Sequence, residues 1–176
     1  MRKLQNSELN RLSVEEYKQV KKIPVVIVLD NIRSLNNVGS IFRTCDAFKI
    51  QSIYLCGITG KPPHKEIHKT ALGATDSVPW QYFEDTGEAL GELKTNNYKI
   101  LGVEQVEGSS SLCSYALDKQ TKYAIVFGHE VKGVQQSVVD LCDECIEIPQ
   151  YGTKHSLNIS ISAGIVIWEF FRQLET

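Results

Sequence analysis

The sequence predicts an α/β domain with a mainly parallel β-sheet and helices on both faces. Apolar, β-branched runs typical of strands alternate about five times with segments whose apolar residues recur at helical spacing. The run 24–29 (PVVIVL) is apolar throughout, as expected for a central parallel strand that is covered on both faces. At 176 residues and 42% hydrophobic content, the chain fits one domain, 1–176, in which residues 1–22 form a peripheral N-terminal segment.

The individual elements follow from these patterns in chain order. Strands are predicted at 25–29, 52–56, 78–83, 99–103, 123–127 and 146–148. Helices are predicted at 14–22, from 38 onward, at 65–72, 86–96 and 134–141, and from 156 onward. A capping box of Ser13 and Glu16 starts the first helix, and we expect Asn36 or Asn37 to cap the second. The stretch 57–80 is rich in Gly, Pro, Lys and His; we interpret it as a long binding loop, the alternative being surface decoration.

Composition disfavours several classes of protein. No apolar run reaches the length of a membrane span and the N-terminus is polar, so we expect a cytoplasmic protein that does not enter a membrane. The five cysteines are an odd number in mostly apolar runs, and the one C-x-x-C, Cys142 with Cys145, lacks a second pair. Disulfides and a metal site are therefore not predicted. The net charge of −2 means that any RNA site must be a local basic patch.

The C-terminal region joins a short strand to an apolar helix through a polar loop. Apolar residues in the helix recur at spacings of four, four and three, namely Leu157, Ile161, Ile165 and Trp168. Ser156 and Asn158 stand at its beginning, where free backbone N–H groups and the helix dipole favour a ligand. The alternative is that one of them simply caps the helix.

Two further polar segments follow predicted strands, where α/β sheets bind ligands. The first, N-x-G-x-x-x-R at 37–43, places Gly39 and Arg43 one helical turn apart, although Arg43 could equally be a solvent-facing arginine. The second is G-H-E-V-K-G at 128–133, whose glycines permit tight turns. Neither segment is a G-x-G-x-x-G fingerprint or a P-loop, and no G-x-S-x-G occurs, which disfavours dinucleotide, nucleotide-triphosphate and serine-hydrolase chemistry.

Taken in order, these segments resemble a known family. Residues 37–48 (NVGSIFRTCDAF), 127–133 (FGHEVKG), and 148–149 with 156–158 (IP and SLN) are similar to motif one, motif two and motif three of the SpoU-type RNA 2′-O-ribose methyltransferases of the SPOUT superfamily. Residues 69–74 (KTALGA) also resemble a segment of that family. The resemblance covers nearly the whole chain. One departure is His129, which stands where many members carry Asn or Pro.

The resemblance implies a C-terminal deep trefoil knot, S-adenosyl-L-methionine as cofactor, and methyl transfer to a ribose 2′-hydroxyl of tRNA or rRNA. It also implies a homodimer formed through the C-terminal helix region, where the small residues Ser160, Ala163 and Gly164 would allow close packing. The implied cofactor-binding residues are Gly128, Ile148, Leu157, Ser156, Val103 and Glu104. The choice between tRNA and rRNA stays open, and a noncatalytic RNA-binding protein with the same fold is the main alternative.

The implied catalytic residues are Arg43, Asn158, Ser156 and Glu130, and the implied RNA-binding residues are Asn31, Arg33, Asn37, Lys69 and Lys154. Family mechanisms give proton removal to Arg43, but a guanidinium stays protonated in proteins. We therefore expect Arg43 to anchor an RNA phosphate and stabilise the developing alkoxide, while that phosphate or water takes the proton. We expect Asn158 to orient Arg43 or the ribose, and Glu130 to orient a neighbouring donor, unless Glu130 is an ordinary surface carboxylate. Whether Arg43 acts in its own subunit or in the partner's site stays open.

Overall fold

A parallel sheet lies at the centre of the structure. The computed structural model describes residues 1–175, with residue 6 described through its backbone alone. Within this range the strands are β1 (Ile23–Asp30), β2 (Ile50–Cys56), β3 (Trp80–Phe83), β4 (Tyr98–Val103), β5 (Ser110–Ser111), β6 (Lys122–Phe127) and β7 (Glu144–Glu147). They lie in the order β3-β2-β1-β6-β4-β7-β5, and every neighbouring pair is parallel. The predicted parallel sheet is confirmed.

Helices cover both faces of this sheet. After a 3₁₀ turn at Asn6–Glu8 they are α1 (Val14–Gln19), α2 (Leu35–Ala47), α3 (Lys65–Ala71), α4 (Ala74–Ser77), α5 (Thr86–Thr95), α6 (Gln136–Val139) and α7 (Ile159–Glu175). Neighbouring residues of β1 point to opposite faces: Ile27 packs in the core shared with α2, α3 and α7, and Val28 in the core shared with α5 and α6. Burial on both faces explains why residues 24–29 are apolar without alternation.

The structure corrects the predicted start of α2. The helix begins at Leu35 and not at 38, and neither Asn36 nor Asn37 is its cap. Ser34 is the cap, and its hydroxyl accepts a hydrogen bond from the backbone N–H of Asn37 at 3.3 Å. The first turn is mostly polar, so the apolar period that identifies the rest of the helix begins one turn too late.

Other boundaries differ as well, and α7 was predicted too early because Leu157 fits the apolar period of the helix but precedes it. α7 begins at Ile159 and not at 156, and Asn158 caps it by accepting from the backbone N–H of Ser160 at 2.9 Å. The predicted helix 65–72 is confirmed as α3 and, together with α4, divides the stretch 57–80, which is therefore not one long loop. α4 and β5 were not predicted, since four and two residues are too few to show a period.

The carboxyl ends of the four strands β1, β6, β4 and β7 lie side by side. The loops that follow these strands span residues 31–34, 128–135, 104–109 and 148–158. Ligands of parallel α/β sheets bind at this edge, so the fold gathers the predicted site in one place. The trefoil knot stays a prediction from the resemblance. No helix in residues 1–175 combines the length and the apolar character needed to cross a membrane.

Gly39 allows α2 and α3 to pack closely beside this edge. A Cβ atom at position 39 would lie 2.1 Å from Thr70 Oγ1 and 2.3 Å from the carbonyl oxygen of Ile67. Both neighbours belong to α3, so the close backbone approach expected next to Arg43 is a contact with the protein's own helix.

We predict that Gly39→Ala lowers the free energy of unfolding by about 1–3 kcal/mol, because the added methyl group pushes α3 away from α2. Gly91→Ala is the matched control: Gly91 lies in α5 and a Cβ there meets nothing within 4 Å. It should raise the free energy of unfolding by about 0.5–1 kcal/mol. Urea unfolding measures both changes, and equal effects of the two substitutions would contradict the packing argument.

Candidate active site

The loops after β4, β6 and β7 are tied together by side chains of the β4 loop. Glu104 Oε2 accepts a hydrogen bond from the backbone N–H of Val134 at 2.8 Å, and its Oε1 accepts from the N–H of Gln105 at 2.9 Å. Gln105 Nε2 in turn donates to the carbonyl oxygen of His155 at 3.2 Å. Three loops that are distant in sequence therefore form one surface at the edge of the sheet.

The motif-two loop closes on itself around two glycines. Backbone hydrogen bonds of 3.0 and 2.8 Å join His129 and Gly133 in both directions. A Cβ atom at Gly128 would lie 2.2 Å from backbone atoms of both Gly133 and Val134, and one at Gly133 would lie 2.1 Å from Glu104 Oε2. Gly128 thus makes room for the protein's own backbone, which is a different reason from the expected close approach to a cofactor.

His129 holds the tip of the same loop. Its Nδ1 accepts hydrogen bonds from the backbone N–H groups of Val131 at 3.0 Å and Lys132 at 3.3 Å. An asparagine carries its acceptor oxygen at the equivalent position along the side chain, and such local bonds are typical of Asn in turns. His129 therefore departs from the family pattern in residue type but provides the same hydrogen-bond acceptor that an asparagine would provide.

Glu130 connects motif two to the start of α2. Its carboxylate accepts from the backbone N–H groups of Arg33 at 3.1 Å and Ser34 at 2.9 Å, and from Asn37 Nδ2 at 3.3 Å. Burial, the largest single effect, acts to raise the pKa of Glu130, but these hydrogen bonds together hold the pKa below its usual value. The group is therefore ionised at neutral pH and is a poor proton acceptor. Its geometry is that of a positioning residue, and it is not an ordinary surface carboxylate.

Asn37 carries the connection on to motif three. Asn158 Nδ2 donates to Asn37 Oδ1 at 3.3 Å, while Asn158 Oδ1 accepts from the backbone N–H of Ser160 at 2.9 Å and its hydroxyl at 2.6 Å. Asn158 is therefore both a helix cap and a contact to motif one. Within one chain its partner is Asn37 and not the expected Arg43.

Arg43 stands apart from this network. It lies six residues after Asn37 on α2, which corresponds to about 9 Å along the helix axis. Its side chain is exposed, and it makes no hydrogen bond or ion pair with the residues described in the structure. A permanently charged guanidinium with five free donors is thus available to RNA or to a second subunit.

The motif-three loop presents an open, largely unpaired backbone. Residues 151–158 are all exposed, and none of the backbone N–H groups in 150–158 donates a hydrogen bond to another described residue. Ile148 is half-buried and Leu157 is 39% exposed, so apolar surface lies beside these free donors. Ser156 makes no hydrogen bond within the described chain. Free donors next to apolar side chains suit a ligand with an aromatic ring and several acceptor atoms.

The predicted RNA-binding residues differ in whether their side chains are bonded within the chain or exposed to solvent. Asn31, at φ +58°, uses both polar atoms of its side chain within the protein. Its Oδ1 accepts from the backbone N–H of Ile58 at 3.1 Å, and its Nδ2 donates to Asp30 Oδ1 at 2.8 Å. The side chains of Arg33, Lys69 and Lys154 are exposed. Within residues 1–175 no group of three or more His, Cys, Asp or Glu side chains is placed to hold a metal ion.

Sequence reasoning missed two residues of this site. Ser34 is the cap through which α2 meets Glu130, and its position directly before a helical period was the signal that could have identified it. Gln105 links two loops that lie 50 residues apart, and no local pattern predicts such a contact.

A parallel sheet with three interlinked loops at its carboxyl edge defines an α/β protein with a ligand-binding site at that edge. The sequence pattern of the SpoU rRNA Methylase family matches residues 24–168 of the chain. The chain belongs to this family.

Individual relatives agree with this assignment. The 23S rRNA (guanosine-2′-O-)-methyltransferase RlmB of Neisseria meningitidis is 31% identical over 150 residues, covering 85% of this chain and 59% of that protein. A Staphylococcus aureus protein assigned to the TrmH family of tRNA/rRNA methyltransferases is 29% identical over 161 residues, covering 91% of this chain and 63% of its own length. The chain thus spans about three fifths of the length of these curated relatives.

Solved structures share the fold. The TrmH/SpoU tRNA modifying enzyme of A. aeolicus superposes with a TM-score of 0.81 and 27% identity, over 92% of this chain and 81% of that one. The AdoMet-bound rRNA methyltransferase of Sinorhizobium meliloti superposes with a TM-score of 0.79 and 25% identity, over 93% of this chain and 62% of that one.

We predict that His129→Phe speeds amide hydrogen exchange at Val131 and Lys132, because phenylalanine fills the space of imidazole but accepts no hydrogen bond. The lost bonds should lower the free energy of unfolding by about 1 kcal/mol. His129→Asn, the control, should leave exchange at both amides near the wild-type rate. Slow exchange in the phenylalanine variant would show that the imidazole does not hold the turn.

We predict that Glu130→Gln lowers the free energy of unfolding by about 1–3 kcal/mol at pH 7, because hydrogen bonds to a charged acceptor are lost. The folded pKa of Glu130 is depressed, so its stabilising contribution is present above the ordinary carboxyl pKa of about 4.3 and is lost as pH falls through the folded value. The difference in the free energy of unfolding between wild type and variant should therefore be constant from about pH 6 to about pH 8, and it should shrink in acid as Glu130 becomes protonated.

The control for this experiment is Glu107→Gln, which alters an exposed carboxylate without a hydrogen-bond partner in the described chain. It should change the free energy of unfolding by less than about 0.5 kcal/mol at every pH. An effect of Glu130→Gln that persists unchanged below pH ~3 would contradict the assignment of its stabilising role to the ionised carboxylate.

Proposed function

We propose that this protein is an S-adenosylmethionine-dependent RNA methyltransferase that transfers a methyl group to a ribose 2′-hydroxyl of tRNA or rRNA. The observation that carries the proposal is the hydrogen-bonded path from Glu130 through Asn37 to Asn158, which joins the three motifs at the ligand-binding edge of the sheet. The named activities of the relatives support it. The proposal takes residues 1–176 as one cytoplasmic domain.

The loops fit the implied cofactor. When bound, S-adenosylmethionine supplies a methyl group activated by a sulfonium sulfur. The free backbone donors of the motif-three loop, with Ile148 and Leu157 beside them, suit its adenosine and carboxylate. The proposed cofactor-binding residues also include Ser156 of the same loop, Val103 at the end of β4 and Gly128 directly after β6. Glu104 has both carboxylate oxygens occupied by backbone N–H groups, so we assign it the role of holding the motif-two loop.

The chain's own residues must position the ribose hydroxyl and help remove its proton. Glu130 is unsuited to accept this proton, because its pKa is lowered and its oxygens already receive three hydrogen bonds. Arg43 holds the RNA phosphate and stabilises the developing alkoxide by its fixed charge. The proton then passes to that phosphate or to water. Asn158 and Asn37 fix the position of the motif-three loop relative to α2.

A homodimer would bring a second copy of these residues together. α7 exposes a row of apolar side chains, which we call the α7 row: Ile161 (54% exposed), Ile165 (38%) and Trp168 (50%), continued by Leu157 (39%). The expected small-residue face is only partly available, because Ala163 is fully buried in the monomer core, whereas Gly164 borders the α7 row with open space around it. Pairing of the α7 row with its copy would cover this apolar surface.

The dimer also offers a role for the isolated Arg43. Because Arg43 makes no hydrogen bond or ion pair with Asn158 or Glu130 in its own chain, we propose that it serves the site of the partner subunit. Sedimentation at micromolar concentration should give a dimer, and a native monomer under these conditions would contradict this part of the proposal.

Methyl transfer is tested with purified protein, S-adenosylmethionine that carries a labelled methyl group, and unmodified tRNA and rRNA. After alkaline hydrolysis we expect the label in alkali-resistant dinucleotides, because a methylated 2′-oxygen cannot attack the adjacent phosphate. Label in mononucleotides would place the methyl group on a base. RNA binding without any transfer would support the noncatalytic alternative.

We predict that Arg43→Ala reduces the transfer rate by about 10²–10³-fold and leaves S-adenosylmethionine affinity unchanged, because Arg43 lies away from the cofactor loops. Arg43→Lys should fail as well, since an ammonium does not reproduce the planar fork. Steady-state kinetics with calorimetric cofactor binding measures both quantities. Full activity of Arg43→Ala would remove the catalytic assignment.

Mixed dimers test whether Arg43 acts across subunits. Arg43→Ala and Asn158→Ala subunits are each expected to be inactive, and a heterodimer of the two should regain one working site if each site uses residues of both chains. No recovery in verified heterodimers would place the two residues in the same chain.

A further inference from the structure

A cleft at the β3 edge of the sheet shares no lining residue with the loops described above. It lies between α3, α4 and the edge strand β3, and has a volume of about 500 Å³. This size falls within the range of small-ligand sites in proteins. Its walls include the indole of Trp80, the rings of Pro62, Pro63 and His68, and the side chain of Ile67. The polar side chains of His64, Lys65, Thr75 and Asp76 complete the lining, so the cleft combines an apolar, aromatic face at the start of an edge strand with polar groups. We refer to it as the β3-edge cleft.

Several polar groups of this cleft have no partner in the chain. Neither the indole N–H of Trp80 nor the side chains of His68, Thr75 and Asp76 make a hydrogen bond with another described residue. Trp80 is half-buried and His68 and Asp76 are exposed, so these polar groups are open to solvent and free to bind a ligand. A planar ligand with acceptor and donor atoms at its edge can hydrogen-bond to them while its face packs on the indole.

The rim of the cleft is basic, although the whole chain carries a net charge of −2. Lys61, Lys65 and Lys69 are all exposed beside the cleft, and the acidic residues of the same region are Glu66 and Asp76, which leaves an excess of one positive charge. Lys61 Nζ lies 3.6 Å from the centre of the Tyr82 ring, on the edge strand. A local excess of positive charge around an aromatic pocket is complementary to a nucleotide, whose phosphate is anionic and whose base is flat.

We propose that the β3-edge cleft binds an unstacked nucleobase of the substrate RNA, with the base against Trp80 and the neighbouring phosphates against the lysines of its rim. This inference rests on the proposed function, because it assumes that the substrate is RNA. Three strand spacings separate β3 from β6, or about 14 Å. The base in the cleft is therefore a different nucleotide from the one that receives the methyl group, and it contributes to substrate selection.

The test observes Trp80 directly in the unaltered protein. The chain has two tryptophans, so the indole N–H region of a ¹⁵N–¹H spectrum should contain two resonances, and Trp80→Phe assigns one by its disappearance. Titration with unmodified tRNA or rRNA fragments should shift the Trp80 resonance saturably. S-adenosylmethionine alone should leave it unmoved. A shift caused by the cofactor alone would overturn the proposal, because the cleft would then hold the cofactor's adenine.

Variants test the energetic consequence. Trp80→Ala should weaken RNA binding by about 5- to 150-fold, the range for loss of one base-stacking contact. It should raise KM for RNA, while kcat at saturating RNA and S-adenosylmethionine affinity stay near wild type. Trp80→Phe should retain most of the affinity, because a smaller aromatic ring still stacks. Thr75→Leu fills the cleft from α4 without altering Trp80 and should weaken RNA binding in the same way, which guards against misfolding of the alanine variant.

The outcomes separate this proposal from the proposed function. Methyl transfer with an unmoved Trp80 resonance and an unchanged KM in both Trp80→Ala and Thr75→Leu would overturn the cleft proposal alone. A saturable shift of Trp80 without methyl transfer would support the cleft and contradict the enzymatic activity. The absence of any RNA binding would overturn both.

Discussion

The carboxylate of Glu130 is the interaction on which the arrangement of the site depends. It receives two backbone N–H groups that precede α2, at Arg33 and Ser34, and the amide of Asn37. Donors at the start of a helix need partners, and here the partner comes from another strand's loop, 93–97 residues away. The same contacts keep the carboxylate ionised. Glu130, which we expected to orient a neighbouring donor, is therefore a fixed anion that joins motif one to motif two.

The motif residues divide into those that shape the backbone and those that remain free for chemistry. Gly39 and Gly128 permit backbone contacts that any side chain would block, and His129 closes a turn. Arg43, by contrast, has no partner among the described residues of its own chain. This absence of partners within the chain is the physical reason for our proposal that Arg43 acts on RNA and in the site of a second subunit.

The parallel sheet and the alternation of strands and helices were predictable, because each element depends on the spacing of apolar residues within a short segment. A strand such as β1 that is buried on both faces, or a helix such as α5, shows its character within about ten residues. The cap of α2 was misplaced by two or three residues, because the first turn of this helix is mostly polar, whereas Asn158, one of the two caps considered for α7, is the observed cap. Ala163 was assigned to a surface by its size alone, but a small residue packs equally well in a core.

Contacts between motifs were beyond prediction from local patterns. The link from Asn37 to Asn158 spans 121 residues, and its existence depends on the parallel order of β1, β6, β4 and β7. The resemblance supplied the list of site residues, but not their connections. In particular, it gave no indication that Glu104 holds the motif-two loop or that Asn158 contacts Asn37 and not Arg43.

The central claim is that these tied loops direct methyl transfer to one ribose hydroxyl. The most direct measurement is a nucleotide-resolved map of 2′-O-methyl groups in tRNA and rRNA from cells that lack the protein. Our account predicts the loss of a discrete modification that returns with the wild-type chain and not with Arg43→Ala. A map that is identical with and without the protein would contradict it.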